Sequence, residues 1–342
     1  MVRYSKLAFR QTVHAYGTDL CWTPMILAKE FNRNSFARDS DLTISTNQPQ
    51  PPTIVQFGAN SPLELARASS LVAPSVSGVD LNCGCPQSWA CAETLGAALM
   101  EKRELVRDMV TETREKLRQD GWAMGKDRDK DNPAGRSVSV KIRVHHDLRK
   151  TMDFIDTVLG HDQDRHIDFL TIHPRTRNTP SSIPINPEAL EILTSKYGDR
   201  VPILLSGDVF AMDALPFASP LLPNTESTDG GKPILPKLAG LMSARAILAN
   251  PALYAGYGAC PWEAVETFMI NAARAPLPFK LTLHHVTQMC APGMGPNKSS
   301  LLAKKERAAL MECANMCDLI DFLDEKRGLR REGIEYGRNG YT

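Results

Sequence analysis

Seven short runs of β-branched and apolar residues punctuate this chain, and each run before the last is followed by helical periodicity or room for a helix. The runs fall at 19–23, 53–57, 78–82, 137–144, 169–173, 201–205 and 238–242. Helical patterns occupy 4–16, 62–72, 102–119, 151–159, 187–196 and 211–217. Strand and helix in alternation is the rhythm of βα units on a parallel sheet. Seven such units preceded by a helix predict an α/β fold, a TIM (β/α)8 barrel whose first strand is missing. The helical pattern begins so soon after Met1 that the chain is expected to start late. A doubly wound open sheet is the structural alternative, but it calls for a Gly-rich phosphate turn, and no GxGxxG is present.

After Pro251 the strand pattern ends, and 262–274, 280–289, 298–317 and 319–326 read as helices. The expected organisation is a barrel over 1–258 and a small helical domain over 259–342. Two inserts, 124–136 and 218–236, are charged or rich in Pro, Ser, Thr and Gly and read as surface loops. With 342 residues at 42% hydrophobic the chain can bury a large core. A formal charge of +1 excludes binding of nucleic acid or membrane through net charge alone, so any basic surface is local. The apolar runs are far short of the roughly 18 residues a membrane span requires. Eight cysteines without a paired CxxC read as reduced thiols, which places the protein in the cytoplasm, with the nucleus as a second location.

Active sites of parallel barrels lie at the carboxyl ends of the strands, so the residues there carry the argument. One run ends Asn82-Cys83-Gly84-Cys85-Pro86-Gln87, a sharp turn bearing two cysteines. They read either as small buried hydrophobes or as a reactive thiol at the barrel mouth, and both readings stay open. Zinc is the weaker option, because no second cysteine pair or nearby histidine completes a ligand set. The next run ends Lys141-Ile142-Arg143-Val144-His145, and alternation sends Lys141, Arg143 and His145 to one side. The following run ends in His173, with Arg175 and Arg177 expected to project from the loop as anion forks. Ser206-Gly207-Asp208 and Ser243-Ala244-Arg245 close the last two units, where such barrels frequently hold a phosphate. Gln56 adds an amide. A phosphorylated cofactor across the mouth fits this inventory.

Together these residues resemble the tRNA-dihydrouridine synthases, flavin enzymes with a barrel and a C-terminal helical domain. The resemblance rests on MVRYSKLAFR at the start, TIVQFG at 53–58, GVDLNCGCP at 78–86, VKIR at 140–143, TIHPRTR at 171–177, LSGDV at 205–209 and GLMSARAILANP at 240–251. These words occur in family order across residues 1 to about 255, and the NCGCPQ and AILANPAL forms are most similar to the eukaryotic subgroup acting on D-loop uridines 20a and 20b. The resemblance implies FMN, with NADPH as reductant and tRNA as substrate. It gives cofactor contacts to Met1, Gln56, Lys141, His173, Ser206, Gly207, Asp208, Ala244 and Arg245. Cys85 matches the catalytic cysteine, while Cys83 is assigned to packing or turn geometry. Asn82, Arg143, Arg175 and Arg177 are expected to face the substrate. Reduction of the uracil 5,6 double bond needs a hydride at C6 and a proton at C5, and a thiol, with an ordinary pKa of about 8.5, is protonated at neutral pH and able to release that proton.

The target base must leave its stack, and residues 136–150, with Arg136, Lys141, Arg143, Arg149 and Lys150 against Asp147, are expected to form a basic stripe beside the pocket. Two departures stand out. The family usually begins with a strand ending Ala-Pro-Met, for which Met1 alone stands here, and loss of that strand is expected to weaken both fold and FMN binding. The turns also read SGD and SARA where many relatives have NGD and a Gly-Arg-Gly series, so Ala244 is tolerable only without positive φ. Two other functions compete: a tRNA-binding relative without activity, and a flavin barrel acting on a free pyrimidine, similar to the dihydroorotate dehydrogenases.

Overall fold

The computed structural model describes residues 3–45, 51–125, 133–161, 164–217 and 237–328. Its centre is a curled sheet in the order β1 (Cys21–Trp22), β3 (Thr53–Gly58), β4 (Gly78–Cys83), β5 (Ser137–Arg143), β8 (Phe169–His173), β9 (Ile203–Ser206) and β10 (Gly240–Met242), every pairing parallel. A short β2 (Ile26–Leu27) adds to the far end of β3. A small hairpin, β6 (Gly160–His161) with β7 (Asp164–Arg165), lies outside this sheet. β3 and β4 are buried along their whole length, which is why they read as nearly continuous apolar runs. Helices α4 (Pro62–Val72), α6 (Arg103–Gln119), α7 (Leu148–Leu159) and α8 (Pro187–Tyr197) cover the outside, giving the TIM-barrel-like architecture that the alternation predicts.

Local chemistry sets the helix starts. Ser61 accepts from the Glu64 N–H with Pro62 at the first position, Asn186 accepts from the Ala189 N–H with Pro187 behind it, and Asp147 accepts from the Arg149 N–H. The structure differs from the sequence reading in several places. The strand expected at 19–23 shrinks to two residues, because Pro24 has no N–H to give and the chain rejoins β3 only at Ile26. Residues 211–217 form turns and not a helix. The helix expected at 298–317 shortens to α12 (Lys304–Met311), and the one expected at 319–326 starts earlier, as α13 (Met316–Arg327), because Asn315 caps it by accepting from Cys317 and Asp318 N–H. Helices α2 (Ala28–Arg33), α3 (Ser35–Asp41) and α5 (Ser88–Ala92) carry no strong periodic signal. Met1, the loop at 218–236 and most of the insert at 124–136 lie outside the described residues.

The curl is open: β1 and β10 are the two ends of the sheet order and do not pair among the described residues. Side chains satisfy part of these edges. Ser5 Oγ donates to the Trp22 carbonyl. The Tyr254 hydroxyl donates to the Leu241 carbonyl at 2.9 Å and accepts the Ser243 N–H at 2.8 Å. A cavity of about 410 Å³ runs along this opening between Cys21, Trp22, Gly240 and Met242.

Past the short α9 (Arg245–Ala249), α1 (Leu7–Ala15) packs on α10 (Trp262–Arg274), and Asn271 Nδ2 donates to Thr12 Oγ1 at 3.1 Å. With α11 (Phe279–Met289) and the two helices after it, they share a second apolar core in which Phe9, Val13, Phe268, Val286, Met289 and Leu310 meet. The main core is pinned from outside by a buried ion pair, Arg114 to Asp168 at 3.0 Å, whose carboxylate also accepts the Val138 N–H at 2.7 Å. Removing one partner leaves the other charge buried and unpaired. Arg114→Ala is therefore expected to lower unfolding free energy by about 3–5 kcal/mol. Urea unfolding followed by circular dichroism measures this, and an unchanged midpoint contradicts it.

Candidate active site

At the carboxyl ends of the sheet strands lies a pocket of about 300 Å³. β3 brings Gln56, β4 and its turn bring Asn82, Gly84 and Cys85, β5 brings Lys141, and β8 brings His173. The last two units add Ser206, Gly207, Asp208, Ala244 and Arg245. Thus the residues singled out from separate words of the sequence, up to 189 positions apart from Gln56 to Arg245, share one cavity.

Electrostatics make the cavity cationic. Lys141 is half-buried in the wall, makes no ion pair among the described residues, and has its pKa drawn down to about 8 by burial, an effect only partly offset by Asp80. His173 is pushed down to about 2, first by burial and then by Lys141, Arg143, Arg175 and Arg245 around it. It is therefore a neutral ring, with Nε2 3.0 Å from Arg175 Nη1. Gly207 has φ +116, and a Cβ there would lie 2.9 Å from the His173 ring, so this turn closes on the imidazole only as glycine. Ala244 has φ −130, not the positive φ that would favour glycine there.

Cys85 is half-buried at the rim, its Sγ 3.7 Å from Gln87 Oε1. The turn that carries it is held from two sides. Asn82 Oδ1 accepts the N–H groups of Gly84 at 3.0 Å and Cys85 at 2.8 Å, and the Ala97 N–H donates to the Cys85 carbonyl at 2.8 Å. Gly96, at φ +58, lets the chain approach so closely that a Cβ would lie 2.5 Å from that carbonyl oxygen. Cys83, by contrast, is fully buried in the main core.

Several expected contacts are corrected by the geometry. Arg175 lines the pocket but does not project into it from the loop: its side chain is 2% exposed and bonds both Asp208 oxygens at 2.6 and 2.8 Å. The Asp208 carboxylate is thereby occupied, and it also accepts the Ile185 N–H. Arg143 lies outside the pocket lining, donating to the carbonyls of Gly84 at 2.9 Å and Thr176 at 2.7 Å, where it ties the Cys85 turn to the loop after β8. Arg177 is exposed and also outside the lining. The stripe at 136–150 is dispersed, because a seven-residue strand carries its ends roughly 20 Å apart. Arg136 lies at the opposite end of β5, buried against Trp122 and bonded to the Ala73 carbonyl, while Arg149 is exposed on α7. Asp80, Gln87 and Gly96 were missed by the sequence reading. Asp80 left a signal, since a carboxylate inside a strand as apolar as GVDLNC must have buried partners.

A polar pocket at the carboxyl ends of curled parallel strands defines the site of an α/β-barrel enzyme. The family described as dihydrouridine synthase (Dus) matches residues 1–317. A Homo sapiens protein named tRNA-dihydrouridine(20a/20b) synthase, NAD(P)+-like, is 33% identical over 329 residues, 96% of this chain and 90% of that protein. The Saccharomyces cerevisiae tRNA-dihydrouridine(20a/20b) synthase is 36% identical over 343 residues, covering 100% of this chain and 81% of its own length. The Schizosaccharomyces pombe protein of the same name is 35% identical over 333 residues, 97% of this chain and 87% of its own. The chain belongs to the dihydrouridine synthase family, a class of oxidoreductases.

The electrostatics make a direct prediction. The His173 imidazole stays neutral and does not titrate between about pH 5 and pH 8. Its ring 15N shifts checked by NMR are expected to stay constant over that range, whereas a midpoint near 6.5 contradicts the cationic pocket.

Proposed function

We propose that this protein reduces uridine in the D-loop of tRNA to 5,6-dihydrouridine, with FMN as resident cofactor and NADPH as reductant. The observation that carries this reading is the shared cavity: the Cys85 thiol stands on the rim of the same pocket that Lys141, His173 and the two turns line. The names of the similar human and yeast proteins support tRNA as substrate, uridines 20a and 20b as targets and a nicotinamide reductant.

The residues fit the cofactor. An ammonium without an ion pair, a neutral imidazole and an amide at Gln56 suit an uncharged ring system rich in acceptors, and Arg245 with the turns 206–208 and 243–245 suits its phosphate. When bound, the reduced flavin supplies the hydride to C6 of uracil. The Cys85 thiol gives its proton to C5 from the pocket rim, and solvent returns a proton to the thiolate. Gln87 and the Asn82-held turn keep the thiol in place. Arg177 and Trp89, both exposed near this mouth in sequence, are available to the RNA that presents the extruded base. A cytoplasmic and nuclear location, where thiols stay reduced, goes with this reading.

The test uses unmodified tRNA transcript, FMN and NADPH, with nucleoside mass spectrometry of the product. Gain of two hydrogens on a D-loop uridine is expected, with free uridine left unreacted. Reduction of free uridine at the tRNA rate identifies a free-pyrimidine oxidoreductase instead, and tRNA binding without any product identifies a binding protein. Cys85→Ala is expected to keep FMN and tRNA binding while turnover falls at least about 100-fold, the low end of the range for losing a positioned general acid. Parental turnover in that variant removes Cys85 from the mechanism.

A further inference from the structure

Below the pocket a line of polar side chains joins the buried heart of the sheet to the thiol turn. Asp80 is 1% exposed. Its Oδ1 accepts from Ser139 Oγ at 2.6 Å and its Oδ2 from Gln56 Nε2 at 2.7 Å. Gln56 Oε1 then accepts from Asn82 Nδ2 at 2.8 Å, and Asn82 Oδ1 accepts the Gly84 and Cys85 N–H groups. Gln56 and Asn82 are themselves 8% and 9% exposed, so water replaces few of these bonds.

We propose that Asp80 is the positioning residue for Cys85, setting through Gln56 and Asn82 the only amide orientation that holds the thiol turn. The argument is one of donors and acceptors. An ionised carboxylate only accepts, and backbone N–H groups only donate. Two primary amides strung between an acceptor-only end at Asp80 and a donor-only end at Cys85 have one arrangement in which every group is satisfied. Each amide turns its nitrogen toward Asp80 and its oxygen toward Cys85. Flipping either one sets oxygen against oxygen or nitrogen against nitrogen inside a buried site, at a cost of about 1–3 kcal/mol per unmade bond. The charges facing Asp80 agree with this assignment: Lys141 on the neighbouring strand favours the carboxylate, and Cys83 on its own strand is held as the neutral thiol. The inference rests on Cys85 being the proton donor of the proposed reaction, but its test does not.

The test reverses the line. In Asn82→Asp the carboxylate still accepts from Cys85 N–H but cannot donate to Gln56, so one junction of the line becomes acceptor against acceptor. Adding Asp80→Asn supplies a donor at the other end, and Gln56 can flip to satisfy both neighbours. Adding Asp80→Ala instead removes the same negative charge without supplying a donor. The readout is the rate of Cys85 alkylation by iodoacetamide at about pH 8, normalised to the exposed Cys317. It is measured by peptide mass spectrometry on the whole chain without flavin, tRNA or turnover.

Loosening the turn is expected to raise the Asn82→Asp rate about tenfold over the parent. The Asn82→Asp/Asp80→Asn chain is expected to return to within about twofold, and Asn82→Asp/Asp80→Ala to stay about fivefold high. Equal recovery in both double variants means that charge relief and not bond polarity is at work, and overturns the proposal. So does an unchanged rate in Asn82→Asp. If the Asn82→Asp chain does not fold, Asp80→Ala alone decides: freeing Gln56 is expected to raise Cys85 alkylation about threefold, and a parental rate overturns the proposal. Because the parent's tRNA turnover is scored separately, failure of the polar line and failure of the synthase reading are distinguishable.

Discussion

The site is governed by the cost of holding Lys141 in a half-buried barrel wall with no ion pair among the described residues. Burial draws its pKa down to about 8 and pushes the fully buried Asp80 carboxyl up to about 6; hydrogen bonds from Ser139 and Gln56, then Lys141, favour the Asp80 charge, and Asp80 favours that of Lys141. Nearby, Arg175 is neutralised by Asp208 and Arg143 is spent on carbonyl oxygens. What remains facing the cavity is Lys141, Arg245 and an imidazole held neutral by burial and then by the cations around it. A pocket lined by Lys141 and Arg245, neither in an ion pair among the described residues, is arranged for a ligand that supplies acceptors and a phosphate.

The fold makes that arrangement from short parallel strands whose carboxyl ends converge. Continuous burial of β3 and β4 fixes the sheet, and the register of β4 on β5, Asn82 opposite Lys141, sets the amide beside the ammonium. The opening between β1 and β10 lies next to this mouth, since Trp22, Met242 and Ser243 line both cavities. Ser5 and Tyr254 give the free strand edges partners that a neighbouring strand would otherwise supply. The same Tyr254 hydroxyl that closes the edge thereby holds the start of the 243–245 turn, coupling the integrity of the barrel wall to the proposed phosphate site.

Most of the architecture was legible because its signals are local. Apolar runs bounded by turns, Ser61-Pro62 and Asn186-Pro187 caps, and the Gly-Cys-Pro turn each announce themselves within a few residues. The pocket's membership was legible too, through the rule that barrel strands present chemistry at their carboxyl ends. The arginines misled for the opposite reason. Arg175 finds its partner 33 residues away in Asp208, and Arg143 finds its partners in carbonyls of other loops, so nothing near either residue tells that it is already engaged. Gly96 sits in a stretch, ETLGAALM, that resembles helix, and only the approach of the Cys85 carbonyl explains its positive φ. The basic stripe failed because closeness in sequence along an extended strand is not closeness in space.

The most direct measurement is the visible absorption spectrum of the purified chain titrated with FMN, followed by addition of NADPH in the same cuvette. The account predicts a bound flavin spectrum, shifted from that of free FMN and bleached by NADPH, because the pocket presents Lys141 and Arg245 without ion pairs among the described residues. A spectrum that stays that of free FMN through the titration contradicts it.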